Sequence, residues 1–165
     1  MFQLRVLKMA GLFLAHKYSN TLMAGTRELM RTLGRMQLHT LEIHHMPLGS
    51  IAAELSGEEE SWRRPRQLPL QRLVLLNCNL SSKATYEVLR ACGKLRELSL
   101  ASNWGYRVVG ALADEGFGVG RDECGWMRLQ PVELPKLEWL DVQGAKVTPA
   151  GVAHLPGKKL LWVWS

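Results

Sequence analysis

Apolar residues return along the chain in one spaced pattern rather than in blocks. In "LQRLVLLNCNL", Leu70, Leu73, Leu75, Cys78 and Leu80 fill every fixed position of L-x-x-L-x-L-x-x-N/C-x-L. "LRELSLASNWG" repeats it with Leu95, Leu98, Leu100 and Asn103, and loses only the last apolar position to Gly105. A third copy has Leu137, Leu140, Val142, Ala145 and Val147, and a fourth has Leu38, Leu41, Ile43, Met46 and Leu48. Leu4, Leu7, Met9, Leu12 and Leu14 make a looser fifth, and a truncated sixth begins at Leu160 with Val163 in the second fixed position. The central L-x-L is strand alternation, two side chains inward and one outward. The Asn/Cys position follows the strand, where a hydrogen-bonding side chain satisfies backbone groups as the chain turns. One such unit cannot enclose a core, so each buries its apolar row against the next.

Unit starts at 4, 38, 70, 95, 137 and 160 leave intervals of 34, 32, 25, 42 and 23 residues. The longer intervals predict helices and inserted loops between strands. Thr26 is placed to cap a helix with Leu29, Met30 and Leu33 on one face, closed by Gly34. Ser81 or Ser82 caps a second helix, burying Ala84, Val88, Leu89 and Cys92 before Gly93. Further helical signals lie at Tyr106 to Glu115, at Thr148–Pro149 with Val152 and Leu155, and in a short turn from Ser50 to Leu55. Strand, turn and helix in repetition predict an α/β fold with a parallel sheet. Residues 57–67 and 116–131 carry the surplus length with Gly, Pro and charge, and are expected to be exposed loops within one domain spanning 1–165.

"EVLRACGKLRELSLASN", Glu87 to Asn103, resembles the ribonuclease-inhibitor-like class of leucine-rich repeats. "LEWLDVQGAKVTPAGVAHLPG", Leu137 to Gly157, is similar to the V-T-D-A-G-L-x-x-L repeats of that family, with Pro149 replacing the usual acidic residue. The resemblance covers residues 70–165 best and implies a curved solenoid of about five to six irregular repeats. Its parallel sheet would form the concave face, with helices and loops on the convex one. It also implies binding of other macromolecules, usually proteins.

Charge changes this picture in one place. Residues 61–100 hold eight Lys/Arg against two Asp/Glu, so the formal excess of +6 lies there. Such a stretch can attract acidic proteins, nucleic acid or anionic lipid, or simply be a solvated surface. No run of 18 apolar residues exists, which argues against a transmembrane helix. Met1 to Arg27 has no acidic residue, and Met9 to Ala15 is apolar, but no small-x-small cleavage site follows. Together with three cysteines in no C-x-x-C spacing, this makes an intracellular, cytoplasmic protein the expectation, with mitochondrial import the second reading.

Candidate chemistry is sparse. Gly116, Gly118 and Gly120 in "GFGVG" follow a predicted helix instead of a strand, and Arg121 stands where a nucleotide fingerprint needs glycine. His44 and His45 point to opposite faces of a strand and have no further ligands nearby. Cys78 and Cys92 read as buried, and Cys124 as the exposed thiol, with no motif-linked base. No catalytic residue, cofactor or metal is therefore expected. Only the outward strand positions have a reason to converge. One row collects Val6, Thr40, Arg72, Glu97, Trp139 and Trp162, a second Lys8, Glu42, Val74, Ser99, Asp141 and Trp164, with His44 beyond. Glu42, His44, Arg72, Glu97, Trp139, Asp141, Trp162 and Trp164 are the candidate partner-binding residues, the tryptophans as anchors. The C-terminal edge, with no polar cap after Leu160, offers self-association as well. The expected function is a non-enzymatic protein-binding module. The alternatives are a recognition part of a larger assembly, such as a ubiquitin-ligase receptor or immune-type sensor, and an RNA- or ribonucleoprotein-associated protein using residues 61–100.

Overall fold

The computed structural model describes residues 4–11, 20–49, 51–55, 67–80, 82–103, 134–144 and 159–161. Six strands appear there: β1 (Val6–Ala10), β2 (Thr40–His44), β3 (Arg72–Leu76), β4 (Glu97–Ser99), β5 (Trp139–Asp141) and β6 (Lys159–Leu161). Helix α1 (Asn20–Arg35) joins β1 to β2, a short 3-10 helix (Ile51–Leu55) lies between β2 and β3, and α2 (Ser82–Arg90) lies between β3 and β4. The strands form one sheet in chain order, every neighbouring pair parallel. Parallel neighbours require a crossover between strands, and in the first three connections these helices supply it.

Register places the inward residues in rows. Leu7, Leu41, Leu73, Leu98 and Leu140 stand side by side across five strands, and Met9, Ile43 and Leu75 follow on the first three. Leu73, Leu75, Leu98, Leu100, Leu140 and Val142 are all buried, as the alternation predicts. Met30 and Leu33 of α1 and Val88 and Leu89 of α2 close the same core from the helical side. Cys92 is buried with them as expected, although α2 ends at Arg90, two residues before it.

The backbone repeats itself as the leucines do. The carbonyls of Arg5, His39, Gln71 and Arg96 each accept two N–H groups from the start of the next strand, at 2.8–3.1 Å. Two residues past the second inward position, His45, Asn77, Ser102 and Gly144 all take positive φ, at 54, 51, 56 and 69°. Glycine adopts that left-handed turn freely, and Asn tolerates it better than most side chains.

Two expectations need correction. Helix α1 begins at Asn20, six residues before Thr26, because Leu22, Met23 and Ala24 are strong helix formers that carry propagation past it. Gly34 does not close that helix but lies within it, and a Cβ there would overlap the Leu55 carbonyl. Its missing side chain lets α1 rest directly on the 3-10 helix. The second correction concerns β6, where Lys159, Leu160 and Leu161 pair with Trp139, Leu140 and Asp141. Leu160 therefore occupies the second fixed position, not the first, and the places beside Trp139 and Asp141 are taken by Lys159 and Leu161. A leucine outside a full match fits either the first or the second fixed position, which are three residues apart and both apolar. Trp162, Trp164, Cys124, the helical signals at 106–115 and 148–155, and the loops at 57–66 and 116–131 lie outside the described residues. Gln67, at the end of the first of those loops, is exposed.

Candidate functional site

The outward face of the sheet carries the predicted rows. Val6, Thr40, Arg72, Glu97 and Trp139 are consecutive register partners, with Lys159 following on β6. Lys8, Glu42, Val74, Ser99 and Asp141 form the second row, followed by Leu161. Ala10, His44 and Leu76 start a third.

An ion-pair ladder crosses this face. Lys8 Nζ lies 3.1 Å from Glu42 Oε1, and Arg72 Nε donates to the same oxygen at 2.9 Å. Arg72 Nη1 then reaches Glu97 Oε2. Four adjacent strands are thus linked by four alternating charges. Glu42 is only 6% exposed although it points outward, and Val74 and Ser99 in its row are buried too. Burial alone would push the Glu42 carboxyl up, but the hydrogen bonds and charges of Lys8 and Arg72 outweigh it and hold the group below its ordinary value. The same bonds to Glu42 and Glu97 raise Arg72, which stays cationic.

Beside the ladder, Ser99 Oγ donates to Asp141 Oδ2 at 2.9 Å, and the Gln143 N–H donates to Oδ1 at 3.0 Å. Asp141 is oriented by these two bonds, with the half-buried Trp139 two positions before it on the same face. The two histidines diverge. His44 Nε2 is buried with no hydrogen-bond partner, whereas His45 Nδ1 meets the Asn77 amide at 3.0 Å. Their rings are perpendicular at 6.4 Å. Among the described residues no group of three or more His, Cys, Asp or Glu side chains is placed to hold a metal ion. No helix there is long and apolar enough to cross a membrane.

Beneath the sheet, the Asn/Cys positions do structural work. Asn103 Oδ1 accepts from the Cys78 N–H at 2.9 Å, and Nδ2 donates to the Leu75 and Leu100 carbonyls at 2.7 and 2.8 Å. The Cys78 thiol bonds the Ile43 carbonyl at 3.3 Å. Burial pushes Cys78 up to about 11 and Cys92 up to about 12, so both are neutral thiols at physiological pH and poor nucleophiles.

One charged group escaped the sequence reading. Glu54, on the 3-10 helix and 5% exposed, is bonded by Arg27 Nε at 3.1 Å and Arg31 Nε at 2.9 Å. Arg27 and Arg31 are four apart and share one helix face, but nothing in that spacing points to Glu54 as their partner. Comparison of the chain with family models, with curated proteins and with solved structures finds no match.

Proposed function

We propose that the chain is a leucine-rich-repeat solenoid, without enzymatic activity, that binds a protein partner on the outward face of its sheet. Glu42, His44, Arg72, Glu97, Trp139 and Asp141 would be the contact residues. The observation that carries this reading is the register. It sets Thr40, Arg72, Glu97 and Trp139 from successive strands in one unbroken row, with the described helices packed on the opposite, leucine-lined side. A rigid parallel sheet holds such rows at fixed spacing, so partner groups meet a preorganised surface. Glu97 and Trp139 are the adjacent and more accessible pair, and tryptophan is the residue type most often found as an energetic anchor.

The test is a binding partner isolated by cross-linking, purified, and titrated against variants. Glu97→Lys combined with Trp139→Ser is expected to weaken binding at least about tenfold, since anchors contribute on the order of 2 kcal/mol. Glu28→Gln, on the exposed side of α1, is expected to bind as wild type. Equal affinities for the two variants, with unchanged far-UV circular dichroism, would refute the sheet-face reading.

A further inference from the structure

We infer that the rim formed by the strand starts is a second surface, one that binds the phosphate backbone of a nucleic acid. The paired backbone bonds that open each strand fix Arg5, His39, Gln71, Arg96 and Glu138 as one row across the sheet. Adjacent members are separated by the strand spacing of about 4.8 Å. Two units contribute a lysine just before the first fixed leucine, Lys94 and Lys136, both exposed. Arg5 and Arg96 are exposed as well.

The charge on this rim is unspent. Arg5, Lys94, Arg96 and Lys136 face one carboxylate, Glu138, which lies 3.3 Å from Arg96 between two side chains more than half exposed. An ion pair that open to water holds little energy and yields readily to another anion. Arg5, Lys94 and Lys136 make no ion pair among the described residues. On the sheet face the described cations of the ladder are taken: Lys8 and Arg72 are committed to Glu42 and Glu97. The net +6 of the whole chain favours the approach of a polyanion, and the rim aligns four exposed cations for it.

The rim's chemistry favours nucleic acid over an acidic protein. A stable protein interface draws its energy from buried aromatic or apolar anchors surrounded by a polar border. Among the described residues the exposed side chains of these rows are the four cations, the Gln37 and Gln71 amides and one carboxylate, Glu138, with no Phe, Tyr or Trp among them. Phosphate binding needs no anchor, because release of condensed counterions supplies the free energy. Arginine, lysine and an amide donor also contact phosphate without reading base identity. The surface is therefore suited to sequence-independent binding.

Fluorescence anisotropy of a fluorescein-labelled oligouridylate, titrated with the full chain between about 50 and 200 mM salt, tests this. Binding should weaken with salt, and Lys94→Gln/Lys136→Gln should flatten the plot of log K against log salt by roughly 1.4, at about 0.7 per phosphate contact on a single strand. Glu138→Gln frees Arg96 and should tighten binding and steepen the slope by roughly 0.7, a gain that misfolding cannot produce. Trp139→Ser on the sheet face should change neither. No binding at the lowest salt, or unaltered slopes in the rim variants, would overturn the inference. So would a polyglutamate chain of equal length binding as tightly as the oligouridylate, which would point to an acidic protein instead.

Discussion

Glu42 and Glu54 are both carboxylates withdrawn from water and held by two cations, yet they sit on opposite sides of the molecule and tie together different things. The partners of Glu42 come from flanking strands, Lys8 on β1 and Arg72 on β3, and Arg72 continues to Glu97 on β4. Glu54 receives Arg27 and Arg31, neighbours on one face of α1. The first arrangement links successive units of the sheet. The second pins one helix to the 3-10 helix beside it. A buried carboxylate costs free energy to desolvate wherever it lies, so in each case the cations must offset that cost. They differ in how much one cation holds. Loss of either leading arginine leaves one half-exposed cation, Arg27 at 53% on Glu54 or Lys8 at 64% on Glu42. Arg72, however, also bonds Glu97, so its loss breaks two hydrogen bonds where loss of Arg31 breaks one.

The largest effect should come from the helical side, where backbone meets backbone. Gly34→Ala forces a methyl group into the Leu55 carbonyl and is expected to destabilise the fold by about 3 kcal/mol, at the upper end for overpacking. It should also uncouple Arg31 from Glu54 in a double-mutant cycle while the Arg72–Glu42 coupling persists. Wild-type stability in urea denaturation would mean that α1 and the 3-10 helix do not approach so closely. Next in size, Arg72→Met should cost about 2 kcal/mol, the range for a hydrogen bond to a buried charge. Arg31→Met, with Arg27 remaining at 3.1 Å from Glu54, should cost about half of that. The two should add within about 0.5 kcal/mol, being on separate faces with no shared partner. Equal costs would show that the second bond of Arg72, to Glu97, adds nothing, and strong non-additivity would show that the two clusters communicate.

The same contrast explains what could be read from the chain beforehand. Strand alternation fixed the inward rows, and the alignment of Arg72, Glu97 and Trp139 followed from it, because a period of two leaves no freedom once Leu73, Leu98 and Leu140 are in register. At Leu160 only one leucine carried the pattern, and the register fell three residues from where the template placed it. The ladder charges were visible as row members, but their mutual neutralisation depends on side-chain reach across strands. Glu54 was illegible for another reason. Its burial depends on how α1 lies over the 3-10 helix, a tertiary relation that Gly34 permits and no local pattern encodes. The unit-start rim was overlooked because its residues look like ordinary solvated charges until the strands stack them.

Acid titration should give the smallest effect and the sharpest view of Glu42. Its carboxyl is held below the ordinary value of 4.5 in the folded protein. A depressed folded value means that the group contributes stability above the unfolded value, and that this contribution disappears as pH falls through the folded one. The stability gap between wild type and Glu42→Gln should therefore be full at neutral pH and shrink below about pH 4.5. In an Arg72→Met background only Lys8 still opposes burial, so the carboxyl moves up, and the gap should be smaller and finish closing at a higher pH. Urea midpoints measured for the four proteins between neutral and acid pH give both comparisons. A gap that closes at the same pH in both backgrounds would show that Arg72 does not govern the Glu42 charge, and that Lys8 on β1 alone holds it.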